Sequence, residues 1–599
     1  MTAALNAARL AFVARPPAVV GFVVTAVLGG AAPVAVAWFT KIALDRIAAG
    51  TPTGLLGLAL LLAATGVVAA CLPHAERYLR AELDRAVGVL ARDRLFGALD
   101  RLRGLAKLED PKFHDRLQLA VDSGRISPPT VLAGAVELVR GGLTVTGFAV
   151  SLFLISPVVT AVVLAGGIPV AIAEFTLARK RARMLWEIEP WQRREMFYAG
   201  LMSGTRAAHE IRLFGLGPFF RARMIRELGA INVAGRRLDR RELRVQGALA
   251  VLAAVIAGSG LVWVVRAAAT GAVSIGDVAV FVAAVAGVQF ALATGVDQAA
   301  QIHQAVLLFR HYLAVVSVRA DLPTPPDPRP VPALRHGIEL RDVWFRYSDE
   351  HPWVLRGVTL TIPVGNAVAL VGHNGAGKST LVKLLCRLYD PDRGAILWDG
   401  IDLRDMDPDE LRARIGVVFQ DYVNYDLSAA ENIALGDLTA LGDGSRLQEA
   451  AGHAGVHDTL AALPRGYDTM LSRMFTDSAD RSDPNTGVVL SGGQWQRVAL
   501  ARAFLRARRD LLILDEPSSG LDAEAEHDVH TRLREHRAGR TSVLISHRLG
   551  AVRDADTIAV LDGGRITELG DHAALLALGG VYARLYRLQS RGYLQEVPG

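Results

Sequence analysis

Hydrophobic residues bunch in the first half of this 599-residue chain and alternate in the second. Apolar runs lie near 17–40, 55–73, 131–155, 157–178, 246–267 and 275–298. A helix needs about 20 apolar residues to cross the hydrocarbon core of a bilayer. The pattern therefore predicts six membrane-spanning helices. Their length and number argue against core helices of a large soluble protein. The first run is too long for a signal peptide and has no cleavage-like end, so it reads as a retained span. Ser156-Pro157 makes a tight break between two spans. From about Gly337 the period changes. Ile338–Tyr347 and Val354–Ile362 alternate as strands do. Ala367–Val371, Ile415–Phe419, Leu511–Leu514 and Val543–Ile545 read as buried strands, and Thr380–Leu388 has a helical period. The expected order is an all-α domain of six transmembrane helices over 1–322, a linker over 323–336 and an α/β domain over 337–599. The linker owes its stiffness to the prolines between Pro323 and Pro332.

Charge orients this plan. Hydrophobic content is 51% and mean hydropathy +0.28, high for a soluble chain with a net charge of +6. The stretches Pro73–Ser127 and Ala178–Gln246 are long, polar and rich in arginine, with Arg92, Arg94, Arg101, Arg103, Arg181, Arg236 and Arg240 among them. The other connections between spans carry few positive residues. The positive-inside rule puts both stretches, both termini and the second domain in the cytoplasm, in a multi-pass protein of the inner (plasma) membrane. A basic patch can mark a nucleic-acid site. Here it lies between spans, so topology and anionic lipid account for it and no nucleic-acid partner is expected. Cys71 and Cys386 do not suggest a disulfide, and Cys386 reads as core.

The second domain carries the chemistry. Gly372-His373-Asn374-Gly375-Ala376-Gly377-Lys378-Ser379-Thr380 fits G-x-x-x-x-G-K-[ST] between an apolar strand and a helix. Glycines let the backbone fold around phosphate with its N–H groups inward, and the helix N-terminus adds positive charge. Lys378 would reach the outer phosphates and the Ser379 hydroxyl would hold Mg²⁺. Leu511–Leu514 ends in Asp515 and Glu516. Asp515 is placed for Mg²⁺, through water or directly, and Glu516 to polarise an attacking water. Gln420 and His547 end two further apolar runs, where ligands bind in a doubly wound sheet.

Leu490-Ser491-Gly492-Gly493-Gln494 completes the set. With it the chain resembles an ABC transporter of the exporter fold, in which membrane and nucleotide-binding domains are fused. The resemblance implies a P-loop ATP-binding cassette that uses ATP and Mg²⁺. Tyr347 resembles the aromatic that stacks on adenine, and Gln420 the glutamine that touches Mg²⁺ and faces the membrane domain. Ser491, Gly492, Gly493 and Gln494 are the signature, which in the family serves the ATP held by the opposite subunit. Asp515 and Glu516 match the acidic pair, Ser519-Gly520-Leu521-Asp522 the D-loop and His547 the switch histidine. One cradle and one signature per chain imply a dimer, a homodimer or a heterodimer with another half-transporter. Glu109–Asp115, where Pro111 starts a helix, and His209–Gly215 resemble the coupling helices that touch nucleotide-binding domains. No peptidase domain precedes the first span, so a leader-trimming exporter is not expected.

Two features depart from the family. A polar stretch, Thr476–Gly487, intrudes before the signature; it either alters a contact with the partner's membrane domain or is a solvated excursion. Gly520 stands where alanine is commoner. No catalytic position is degenerate. The expected activity is ATP-driven export of an amphipathic or hydrophobic small molecule, lipid or peptide by alternating access. Trp38, Glu174, Gln289, Asp297, Gln298 and Gln301 are candidates for the cavity. An importer on the same fold and a soluble ATPase for DNA or ribosomes are the competing readings.

Overall fold

The computed structural model describes residues 2–51, 54–473, 487–506, 509–518, 523–546 and 548–594. The chain divides into two units, Met1–Asp100 with Pro111–Val318, and Arg101–Asp110 with Arg319–Gly599.

The first unit is helical throughout: α1 Thr2–Ala14, α2 Pro16–Ala48, α3 Leu55–Asp100, α4 Pro111–Ile155, α5 Pro157–Ser203, α6 Thr205–Leu213, α7 Gly217–Ala269 and α8 Ile275–Val316. Among the described residues, five of these, α2, α3, α4, α7 and α8, are long and apolar enough to cross a membrane. The remaining expected span falls on α5, whose described apolar stretch is the shorter Pro157–Pro169. At 1.5 Å per residue, the 46-residue α3 is about 70 Å long, so it continues well past a bilayer. Ser156 breaks α4 from α5, capping the new helix by accepting from Val159 N, and Pro157 supplies a fixed φ at its first position. Large apolar residues such as Leu56, Leu60, Val158 and Val251 point outward, as lipid-facing positions do. Inside, glycine permits close approach. A Cβ on Gly287 would lie 2.4 Å from the Phe148 ring, so at that point α8 approaches α4 too closely for a side chain. The first turns of α8 are tied to α2 by charge, with Lys41 Nζ 2.5 Å from Asp277 and the Gly276 N–H donating to Asp45 at 2.8 Å.

The second unit holds two sheets. Strands β1 Gly337–Phe345, β2 Leu355–Pro363, β4 Arg393–Trp398 and β5 Ile401–Asp402 form an antiparallel sheet in the order β2-β1-β4-β5. Strands β3 Ala367–Val371, β6 Ile415–Val418, β7 Leu511–Asp515, β8 Ser542–Ile545, β9 Thr557–Asp562 and β10 Arg565–Gly570 form the other, ordered β10-β9-β3-β8-β7-β6. Its inner pairs are parallel, with Val368 opposite Val543 and Ile513 opposite Val543 on the far side. Parallel strands covered on both faces read as continuous apolar runs. Accordingly every residue of β3, β7 and β8 is buried. The stretch 323–336 runs extended on this unit: Val331 and Leu334 enter its core, and Trp398 Nε1 donates to the Pro332 carbonyl at 3.0 Å.

Segment Arg101–Asp110 belongs to the second unit although α3 and α4 flank it. The expected contact segment, Glu109–Asp115, overlaps it at Glu109 and Asp110. Pro111 does start a helix, but the residues that touch the cassette precede it. Leu105 N donates to the Leu388 carbonyl at 3.0 Å, Arg103 pairs with Asp407 at 2.8 Å, and Glu109 pairs with Lys383 at 2.8 Å. The second expected segment falls on the short helix α6 and the turn after it, with Leu213 and Phe214 exposed at its end.

Candidate functional site

The phosphate loop leaves the C-terminal end of β3, near the middle of the parallel sheet, and runs into α9, Lys378–Leu385. Its path demands glycine. Gly372 has φ 158°, and a Cβ there would sit 2.1 Å from the Leu561 carbonyl oxygen. Gly377, φ 107°, is the N-cap of α9, and a Cβ on it would press on Leu355 at 2.7 Å. Lys378 is 7% exposed, and its ammonium donates to the carbonyls of Gly372 at 2.8 Å and His373 at 3.0 Å. Burial lowers its pKa, against the opposing pull of Glu516 and Asp515. Beside the loop opens a cavity of about 590 Å³ walled by Tyr347, Val354, Asn374, Gly375, Gly377, Lys378, Ser379, Thr380, Gln420 and Glu516. Gly372, His373 and Asn374 also border a neighbouring cleft with Leu549, Leu585 and Gln589, and Ala376 is packed in the core.

Asp515 ends β7 and is 3% exposed. Burial raises its pKa; a hydrogen bond with Ser379 works against that, and the charge of Glu516 adds to it. Its Oδ1 is buried without a hydrogen-bond partner among the described residues. An unmet carboxylate oxygen beside a serine hydroxyl is a donor set that suits a hard cation such as Mg²⁺. Gln420 Nε2 donates to Glu516 Oε2 at 3.0 Å. Glu516 itself has φ 50°, a left-handed backbone that costs about 1–2 kcal/mol for a residue with a Cβ. Its N–H donates to the Ile545 carbonyl at 2.8 Å, which keeps the turn at the sheet edge. The geometry thus gathers a buried ammonium, a serine hydroxyl, a glutamine and two carboxylates along one wall.

The opposite end is aromatic. Tyr347 is 39% exposed, with its hydroxyl 3.0 Å from Thr380 Oγ1. Phe345 and Tyr389 meet its ring edge-on at 5.1 and 5.5 Å. Such a ring, steadied at its edges and partly open, can stack against a flat base. Val354 joins this wall and was not singled out from the sequence. Nothing in an apolar residue before a strand marks it; only the hydrogen bond from its N–H to the Phe345 carbonyl, 2.9 Å, brings it to the mouth.

The signature residues lie elsewhere. Ser491 caps the helix Gly492–Leu505, accepting from Gln494 N while Gln494 Oε1 accepts from Ser491 N. Among the described residues that wall the cradle, none comes from Ser491, Gly492, Gly493 or Gln494. Two residues on, Gln496 is buried and donates to the Pro517 carbonyl at 2.5 Å, anchoring this helix behind the acidic end of β7. Asp522, with the rest of the 519–522 turn, His547 and residues 476–486 of the polar stretch lie outside the described residues.

Comparison with known proteins places these observations. The family described as ABC transporter matches residues 355–519. The cyclolysin secretion/processing ATP-binding protein CyaB of Bordetella pertussis is 44% identical over 267 residues, 44% of this chain and 35% of that protein. An ATP-dependent lipid A-core flippase of Alkalilimnicola ehrlichii is 42% identical over 280 residues, 46% of this chain and 45% of that protein. The chain thus spans less than half the length of these curated relatives. The structure of a bacterial Atm1-family ABC exporter with ATP bound superposes with a TM-score of 0.80 at 25% identity, covering 96% of this chain and 99% of that one. Residues 355–519 are thus an ABC transporter domain, and the near full-length likeness gives the chain the exporter fold, a multi-pass inner-membrane architecture in which membrane helices and a cytoplasmic nucleotide-binding domain are fused.

Proposed function

We propose that two such chains pair, hold two ATP molecules between their cassettes and use closure and hydrolysis to export an amphipathic or hydrophobic compound, lipid or peptide. One observation carries the reading: the cradle has an unmet carboxylate oxygen and a buried ammonium, yet the signature stands outside its walls. A second chain can supply that signature. Ser491 and the first N–H groups of its helix would then face the partner's phosphates, an anion site of the usual helix-terminus kind.

Ser379, Asp515 and Gln420 would hold Mg²⁺, which when bound neutralises charge building on the phosphates. Lys378 would leave its two carbonyls for the outer phosphates. Glu516, oriented by Gln420, would draw a proton from the attacking water. ATP must favour the closed pair over the open one for closure to drive the membrane helices. The relatives named as a toxin-secretion protein and a lipid flippase support an exported cargo. Everted membrane vesicles test direction: ATP-dependent uptake into them supports export, and loss of a preloaded compound reverses the reading to import.

Mixing tests the shared site. Lys378→Ala and Ser491→Ala chains, co-expressed, form mixed dimers in which one site carries both defects and the other neither. ATPase activity above either variant alone supports sharing. Verified mixed dimers with no recovery, and no cross-link from Ser491→Cys to a nucleotide analogue at the opposite cradle, sink it.

A further inference from the structure

Strand β8 ends at Ile545, and the chain soon enters a short helix, Leu549–Val552. Two ties hold the turn between them. The buried Ser546 Oγ accepts from Arg548 N at 3.0 Å, and the Arg548 guanidinium pairs with Glu526 on the helix Ala523–Arg537. The start of the short helix still lacks a local cap. Its first N–H groups have no partner within the helix, and Arg548, at the capping position, has no side-chain acceptor to offer them. The acceptor comes from 40 residues further on: Gln589, on the helix Val581–Leu594, takes the Leu549 N–H on its Oε1 at 2.8 Å. Leu549 is 1% exposed, so this N–H is closed to water and would otherwise be a buried, unmet donor. The helix that carries Gln589 is itself seated in the core by Tyr582. Its Leu585 and Gln589 share one cleft with Gly372, His373 and Asn374 of the phosphate loop.

We infer that Gln589 is a positioning residue for ATP hydrolysis: by capping Leu549 it fixes the backbone turn on which His547 lies, two residues earlier in the chain. The inference rests on the reading of His547 as the switch histidine. A group that takes part in catalysis has to be held within about 0.5 Å of its productive place. Ser546 and Glu526 secure the turn on the strand side and at Arg548; Gln589 secures it where the helix begins. With that oxygen gone, the opening turn of the helix is free to shift and carries the preceding residues with it.

The cost falls on rate rather than on binding. Lys378, Ser379 and Tyr347, which hold the nucleotide in the proposed function, wall the other cavity, and Gln589 is not among the described residues that line it. The demand on residue 589 is also specific. Leu549 uses only a side-chain oxygen, which glutamate keeps and leucine lacks.

The test is steady-state ATPase activity of the full chain. Gln589→Leu should lower kcat by about threefold to tenfold, the loss of one hydrogen bond, with KM for ATP within about twofold of wild type. Gln589→Ala, smaller but equally without an acceptor, should match it. Gln589→Glu should return kcat to within about twofold of wild type. On a His547→Ala background, Gln589→Leu should cost nothing further, because the group it positions has gone. A wild-type kcat in Gln589→Leu and Gln589→Ala, a Gln589→Glu chain as slow as Gln589→Leu, a raised KM with kcat unchanged, or a further fall of full size on the His547→Ala background overturns the inference. If His547→Ala alone keeps the wild-type rate, the reading of His547 falls as well; if that variant is slow and Gln589→Leu is not, this inference alone falls.

Discussion

The two ends of the cradle are built on opposite principles. At the phosphate end, groups are held short of satisfaction: Lys378 is buried against two loop carbonyls, Asp515 keeps an oxygen without a partner among the described residues, and Glu516 sits on a strained backbone. At the base end the groups complete one another. Tyr347 meets Thr380, Tyr389 meets Glu109, and Lys383 closes the ring. Buried unpaired charge is costly, and a ligand of opposite charge recovers that cost. An assembled aromatic wall gains only the stacking itself. The phosphate end should thus dominate affinity and rate, and the base end should adjust them.

Glu516→Gln probes the first claim most strongly. The amide keeps the shape and can still meet Gln420, but it cannot take a proton. Turnover should fall by about 10²–10⁴ with ATP binding retained, read by phosphate release and by nucleotide titration. A variant that keeps more than about a tenth of the rate removes Glu516 from the chemistry. Next in size, Lys378→Ala removes charge-assisted hydrogen bonds worth about 1.5–3 kcal/mol, so ATP affinity should drop by roughly 10–100-fold. A loss under threefold would mean that the phosphate end is not where binding energy resides. Tyr347→Ala should cost about 1 kcal/mol of stacking, some fivefold, and equally for ATP and ADP. Unequal losses would blur the division between the two ends.

The smallest effect is one of pH. Asp515 has a raised pKa, so between 3.8 and that raised value the folded chain holds a proton that the unfolded chain has released. Its contribution therefore stabilises as pH falls through that window and is lost as pH rises. Lys378, lowered from 10.5, works the other way: its contribution grows as pH rises through its own window. Asp515→Asn should raise the Tm of the nucleotide-free chain at pH 7 by a few degrees, about 1 kcal/mol. It should also abolish the further gain that Mg²⁺ and ATP give. A lower Tm in the variant would show that the carboxylate is structurally satisfied.

What the sequence disclosed follows the range of the interactions. The phosphate loop, the acidic strand end and the Ser491 cap are each made by neighbours in the chain, and their spacing betrays them. The membrane helices were legible from run length, five of them fully so in the described residues. Contacts between distant residues were not. Glu109 meets Lys383 and Tyr389 across more than 270 positions; the expected docking segment took in Glu109 but missed Arg103 and Leu105, which reach Asp407 and Leu388. The prolines of 323–336 suggested a stiff spacer, and nothing local announced that Val331 and Leu334 would be buried. Val354 carries no chemical mark at all. His547 and Asp522, singled out from their motifs, lie outside the described residues.

The placement of Arg101–Asp110 has a practical consequence for anyone who cuts this chain. A fragment that starts at Arg319 looks like a whole cassette by sequence, yet it lacks a strip of its own surface. Leu388 would lose the N–H that meets its carbonyl, Arg412 would lose the Arg103 carbonyl, and the Tyr389 hydroxyl and Lys383 would lose Glu109. Leu105 would no longer cover the core beneath. The isolated fragment would present a partly apolar, basic scar next to Tyr347, and its nucleotide preference and solubility would report on that scar rather than on the native domain.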